Sequence, residues 1–175
     1  MSQRNIILSS LPKNSIGLEI GVWYGEFSNE LCAQLSPVKM YGIDPYLFID
    51  TKPDSWHGGS WAKSQADMDY IFEKTESLLS KYNFYTLIRD SSNNITKYIE
   101  ENTLDWVYVD GDHDYNPVLL DLINSHKLIK EGGIISGDDC PEIATDPIYR
   151  AVQKFLSLIN YKKVVFHNRQ YIIYT

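Results

Sequence analysis

The stretch that most limits what this chain can become runs from Ser15 to Ser28 and reads Ser-Ile-Gly-Leu-Glu-Ile-Gly-Val-Trp-Tyr-Gly-Glu-Phe-Ser. Ile16, Leu18 and Ile20 fit a short buried strand, and Gly21 and Gly25 allow a sharp loop. Phe27, Leu31 and Leu35 then recur at helical spacing. A strand, a glycine loop and a helix in that order leave unpaired N–H groups at the helix start and let a ligand approach bare backbone. Such turns usually cradle a nucleotide-like cofactor.

The rest of the chain repeats the unit. Val38 to Ile43 predicts a second strand ending at Asp44, about 20 residues beyond the loop, which is the offset of an acid that binds ribose hydroxyls. Met68, Ile71, Phe72, Leu79 and Tyr82 form a helical stripe, and Phe84 to Ile88 a third strand ending at Arg89-Asp90-Ser91. A short helix at Ile95, Tyr98 and Ile99 precedes a fourth strand from Trp106 to Val109. A helix carrying Val118, Leu119, Leu122 and Ile129 leads to a fifth strand from Gly133 to Ser136. Ile148, Val152, Phe155 and Ile159 mark the last helix, and Tyr161 to Phe166 with Tyr171 to Tyr174 read as a closing hairpin. The expectation is an α/β domain over residues 1–175: a Rossmann-like, doubly wound sheet, mostly parallel, with an antiparallel strand from the C-terminal hairpin. Residues 1 to 14 read as a lead-in, and residues 47 to 64, with Trp56, His57, Gly58, Gly59 and Trp61, as an irregular flap.

With 16 basic and 23 acidic residues the formal charge is -7, which argues against a polyanion or anionic-membrane surface. Neither a signal peptide nor a membrane span is legible, so a soluble, cytoplasmic protein is expected. Cys32 and Cys140 make neither a disulfide framework nor a zinc spacing.

Two later runs carry chemistry: Asp105-Trp-Val-Tyr-Val-Asp110-Gly-Asp-His113-Asp-Tyr115, and Gly132-Gly-Ile-Ile-Ser-Gly-Asp138-Asp139. Together with Glu-x-Gly-x-x-x-Gly at 19–25 and Gly-Ile-Asp at 42–44, they resemble the class I S-adenosylmethionine-dependent methyltransferases. Within that class, Asp-Gly-x-His-x-Tyr followed by Asp-Asp looks most like the metal-dependent macrocin and sugar O-methyltransferases. The resemblance implies that Glu19 faces the methionine end of the cofactor, that Gly21 and Gly25 form its loop and that Asp44 holds the ribose. It places Asp90 and Ser91 at the adenine edge. It implies Asp110, Asp138 and Asp139 as ligands of a divalent cation, Mg2+ first, and His113 as the base. Trp23 departs from it, since many relatives carry glycine there, and the N-terminal segments that often cover the acceptor are not evident.

Other readings stay open on the residues themselves. An Asp after a strand is also a favoured cap or turn former, so Asp90 with Ser91-Ser92-Asn93 reads equally as a helix start. Asp138-Asp139 can cap the next segment. An oxidoreductase using NAD shares the ribose-binding acid but needs a full Gly-x-Gly-x-x-Gly, which is absent. A non-catalytic cofactor-binding module is the third reading. A small-molecule acceptor is the expected partner; no nucleic acid or membrane is expected, and self-association stays open.

Overall fold

A computed structural model describes residues 4–49 and 61–175. The flap residues Trp56, His57, Gly58 and Gly59 lie outside the described residues. The elements, in chain order, are α1 (Asn5–Ser10), β1 (Ile16–Ile20), α2 (Glu26–Leu35), β2 (Lys39–Ile43), α3 (Gln65–Leu79) and β3 (Tyr85–Ile88). A 3-10 turn (Ser92–Lys97) follows, then β4 (Leu104–Val109), α4 (Tyr115–Leu128), β5 (Ile129–Gly137), α5 (Pro147–Leu156), β6 (Lys163–His167) and β7 (Gln170–Tyr174). Among the described residues they build a seven-stranded sheet of order β3-β2-β1-β4-β5-β7-β6. The first five strands are parallel, β7 runs antiparallel to β5, and β6 runs antiparallel to β7. The α/β, mostly parallel arrangement with a closing hairpin is the one expected from the alternation of strand and helix patterns.

Period-two alternation explains how one sheet feeds two cores. In β4, Trp106 and Tyr108 face one side, with Phe27, Leu31 and Leu35 of α2 and Ile7 and Leu8 of α1. Val107 and Val109 face the other, with Val118, Leu122 and Leu128 of α4 and Val152 and Phe155 of α5. The hairpin closes through Asn168 and Arg169, both at positive φ (48° and 64°), the backbone of a two-residue turn whose twist matches its strands.

Three details differ from the sequence reading. The lead-in holds a helix, α1, whose Ile7 is fully buried against the α2 side of the sheet. The helix at 95–99 is a 3-10 turn over Ser92–Lys97. Ile129 opens β5, because the strand pairs Leu104 with Ile129 and then jumps to Trp106 with Ile134. Lys130, Glu131 and the positive-φ Gly132 lie in that irregularity, so the polar residues that masked the strand are a bulge.

Candidate active site

The strand order reverses between β1 and β4, both strands leading away from the same central position, and ligands of open α/β sheets bind outside the carboxyl ends at such a point. The ladder continues past the strand ends here. Gly21 N–H donates to the Ile43 carbonyl (2.9 Å), Asp44 N–H to Ile88 (3.1 Å), Asp110 N–H to Ile20 (2.8 Å) and Asp138 N–H to Val109 (3.3 Å). The acidic residues are thereby held level along one rim. A cavity of about 880 Å³ opens on that rim, lined among others by Glu19, Gly21, Asp44, Ser91, His113 and Asp139.

The loop between β1 and α2 is locked from several sides. Gly21 sits at φ +86°, and a Cβ there would collide with the Asp110 backbone, so only glycine fits. Asp44 Oδ2 accepts from Val22 N–H and Trp23 N–H, both at 3.0 Å, and Asp44 Oδ1 accepts from Tyr46 N–H at 2.9 Å. The Trp23 carbonyl accepts from Thr75 Oγ1 (2.7 Å) and Tyr46 OH (2.9 Å). Trp23 adopts φ +52°, lines the cavity and packs on Tyr46, Ala62, Met68 and Ile71. Gly25, also at positive φ, opens α2.

Glu19 lies beneath this loop with 2% of its surface exposed. Burial pushes its carboxyl up to about 8, against the Ser28 hydroxyl, which donates to Glu19 Oε2 and lowers it. Burial therefore favours the protonated form of a carboxyl that lines the cavity.

On the β3 side the structure separates two expected partners. Ser91 lines the cavity with Ser92 and Asn93. Ser91 caps the 3-10 turn, its Oγ accepting from Asn93 N–H (3.3 Å), and Asp90 braces it: its Oδ1 accepts from Ser91 N–H (2.7 Å) and Asn94 Nδ2 (2.9 Å), and its Oδ2 from Tyr98 OH (2.8 Å). Asp90 does not border the cavity. These bonds hold its carboxyl below the usual carboxylate range.

On the β4–β5 side, Val109 pairs with Gly137, so Asp110 and Asp138 follow adjacent strands as expected. Their Oδ2 atoms converge on Arg4, the residue that precedes α1. Arg4 Nη2 donates to Asp110 (2.7 Å) and Arg4 Nε to Asp138 (2.9 Å). Sequence reading missed Arg4, and no local signal marks it. Asp139 turns elsewhere: its Oδ1 accepts from Arg169 Nη2 (3.0 Å) and its Oδ2 lies 3.6 Å from His113 Nε2. Among the described residues, the three-residue group whose ligand atoms come within 4.8 Å of one another is Asp110, His113 and Asp139, with Asp138 outside it. Burial pushes Asp110 up to about 7 even beside Arg4, and burial lowers the His113 pKa from its ordinary value despite Asp139. Burial thus favours the neutral imidazole of His113, which borders the cavity.

Four further titratable residues do not line the cavity. His126 and His167 are exposed, and Cys32 and Cys140 are buried free thiols. No helix among the described residues is long and apolar enough to cross a membrane.

Residues 18–140, which span the glycine loop, Asp44, Asp90 and the Asp110–His113 and Asp138–Asp139 runs, match the methyltransferase domain family. The chain belongs to that family. It is an enzyme of the methyl-transfer class, which removes the oxidoreductase and non-catalytic readings. None of the curated proteins matches the chain in sequence. Among solved structures, a Clostridium thermocellum protein assigned as an rRNA-methylase superposes at a TM-score of 0.66 with 17% identity, over 98% of this chain and 92% of its own. A Streptococcus mutans protein assigned as a methyltransferase and crystallised with SAH gives 0.63 and 18%, over 99% of both chains. Aeropyrum pernix fibrillarin, with natively bound S-adenosyl-L-methionine, gives 0.63 and 13% over 93% of this chain and 66% of its own. At these identities the superpositions establish a shared fold.

Proposed function

We propose that this methyltransferase uses S-adenosylmethionine to methylate a hydroxyl oxygen of a small molecule, with a sugar or sugar-containing metabolite as the acceptor class. The observation that carries the reading is the composition of one cavity. Its lining holds buried Glu19 and the Gly21 loop, Asp44 and Ser91 on the β2–β3 side, and His113 and Asp139 on the β4–β5 side. The first set suits a cofactor with an ammonium, a ribose and an adenine; the second suits an acceptor that must lose a proton.

Methyl transfer needs little covalent help from protein, so alignment and proton removal set the rate. The acceptor oxygen attacks the methyl carbon, the carbon–sulfur bond breaks to leave a neutral thioether, and the hydroxyl proton passes to His113 Nε2. The imidazolium that forms lies beside Asp139 Oδ2, which favours its charge. Asp112 Oδ1 accepts from Asp114 N–H (2.7 Å), folding the loop that carries His113.

A divalent cation belongs to this proposal at one place. The carboxylates of Asp110 and Asp139 would hold Mg2+ or Mn2+ beside His113, whose imidazole is kept for the proton, whereas Asp110 and Asp138 already share a guanidinium. When bound, such an ion would supply Lewis acidity to the acceptor oxygen. An RNA acceptor, which the name of the Clostridium relative would suggest, is disfavoured by the net charge of -7.

The reading is tested by thermal shift with S-adenosylmethionine, S-adenosylhomocysteine, NAD and NADP, with and without Mg2+, since a ligand that binds only the folded state stabilises it. Stabilisation by the first two alone is expected, and stabilisation by none of them would sink the cofactor assignment. With a hydroxyl acceptor found by screening methyl transfer from labelled cofactor, His113→Ala should lower turnover 10²–10⁴-fold, the range of a lost general base. Its S-adenosylhomocysteine affinity should be unchanged. If His113→Ala also abolishes Mn2+ binding, the imidazole is a ligand and Asp112 becomes the base to test.

A further inference from the structure

Arg4 stands 106 residues from Asp110 and 134 from Asp138, yet it reaches both. Its guanidinium lies 4.6 Å from the centre of the Phe27 ring and 5.6 Å from that of Tyr108. Tyr108 OH is 3.3 Å from Asp110 Oδ2 and equally far from Asp138 Oδ2. One planar cation and one phenol therefore converge on the same two carboxylate oxygens. A divalent ion bridging Asp110 and Asp138 through these oxygens would have to displace the guanidinium. Arginine stays charged at any working pH, and its planar fork, stacked on aromatic rings, is already organised for two acceptors. Two facing carboxylates without a cation would repel each other, so their juxtaposition calls for some positive charge.

We propose that Arg4 is the resident cation of the Asp110–Asp138 pair, standing where a divalent ion would otherwise bridge the two carboxylates. Asp138 is then a holder of Arg4 and not a metal ligand, and any ion is confined to the Asp110 and Asp139 carboxylates beside His113. Arg4 acts as a positioning residue: by anchoring Asp110 it sets the loop that carries His113 three residues later. The inference deepens the reading of this cavity as a methyl-transfer site and rests on it for its functional meaning, but its test requires neither cofactor nor acceptor.

Mn2+ titration of the full chain, followed by the loss of the free-ion electron paramagnetic resonance signal, decides it. Asp138→Asn should leave the Mn2+ affinity of the wild type within twofold. Arg4→Met, which keeps an unbranched apolar stem but removes the cation, should bind Mn2+ at least tenfold more tightly. The double variant Arg4→Met/Asp138→Asn should lose that gain. Arg4→Lys, which restores a cation, should return to wild-type ion affinity. A wild-type affinity that drops tenfold or more with Asp138→Asn would overturn the proposal, as would an Arg4→Met protein, folded by circular dichroism, that gains nothing. Should Arg4→Met fail to fold, comparison of the wild type with Asp138→Asn still separates a metal ligand from a holder of Arg4. Failure of S-adenosylhomocysteine to bind any of these proteins would refute the cofactor assignment and leave the ion result standing.

Discussion

Glu19 is the residue on which burial acts most consequentially. It lies in the middle of the β1–α2 switch, accepts a hydrogen bond from Ser28, and has its carboxyl raised from 4.5 to about 8, chiefly by loss of solvent. A raised carboxyl means that the folded chain holds a proton which the unfolded chain has released. Its contribution to stability is complete below about pH 4.5 and is lost as pH rises through about 8. Asp110 and Asp121, both raised to about 7 mainly by burial, push in the same direction over a slightly lower window. Thermal stability should therefore fall between pH 5 and pH 8. In Glu19→Gln the fall should be smaller by at least roughly 2–4 °C, the shift expected for about 1 kcal/mol in a chain of this size. A fall of equal size in both proteins would mean that Glu19 is ionised in the free enzyme. If Glu19 meets the ammonium of the cofactor, binding must also expel its proton. Calorimetry of S-adenosylhomocysteine binding at pH 7, in two buffers of different ionisation enthalpy, should then report proton release in the wild type and none in Glu19→Gln.

At the level of elements, the β1 loop is held by β2 through a single carboxylate. Asp44 accepts three backbone N–H bonds, two from the loop and one from Tyr46, so its role is to shape the cradle before any ligand arrives. Hydrogen bonds to a charged group contribute about 1.5–3 kcal/mol each, against which exposure of the freed N–H groups to the cavity is a partial relief. Asp44→Ala should lower S-adenosylhomocysteine affinity by about 1.5–3 kcal/mol and also reduce thermal stability, both read from the same melting series. Unchanged affinity would remove Asp44 from the ribose role and leave it as a loop brace. This switch was legible in sequence because its determinants are local: glycines, an acid at a fixed offset, and apolar residues at period two and then 3.6. The start of β5 was not, since Lys130-Glu131-Gly132 reads as a break until pairing with β4 shows it to be a bulge, with Lys130 Nζ 2.6 Å from Asp105 Oδ1. Asp90 was ambiguous for a real reason. A turn-forming role and ligand binding call for the same residue at the same place, and its three partners favour a brace of the turn that Ser91 caps.

Across the whole molecule, the part that sequence could not reveal is the return of the N-terminal segment to the β4–β5 rim. A six-residue helix carries too few turns to show a period, and a pair of residues more than a hundred positions apart leaves no trace in one sequence. Yet α1 is what places Arg4. Ile7 is wholly buried, and Ile7, Leu8 and Leu11 join the core formed by Phe27, Leu31, Trp106 and Tyr108. Truncating a fully buried isoleucine typically costs about 2–5 kcal/mol, so Ile7→Ala should lower the melting temperature distinctly. The consequence at the site follows from connectivity. Because Arg4 immediately precedes α1, a helix that undocks more often should withdraw the guanidinium from Asp110 and Asp138 more often. The carboxylates then become open to an ion for that fraction of time. Ile7→Ala should therefore bind Mn2+ more tightly than the wild type and less tightly than Arg4→Met, with the difference abolished by Asp138→Asn. If Ile7→Ala is destabilised but its ion affinity stays at the wild-type value, the ion pairs hold Arg4 without help from the helix. The coupling between the core and the catalytic rim would then have to run through Phe27 and Tyr108, whose rings flank the guanidinium.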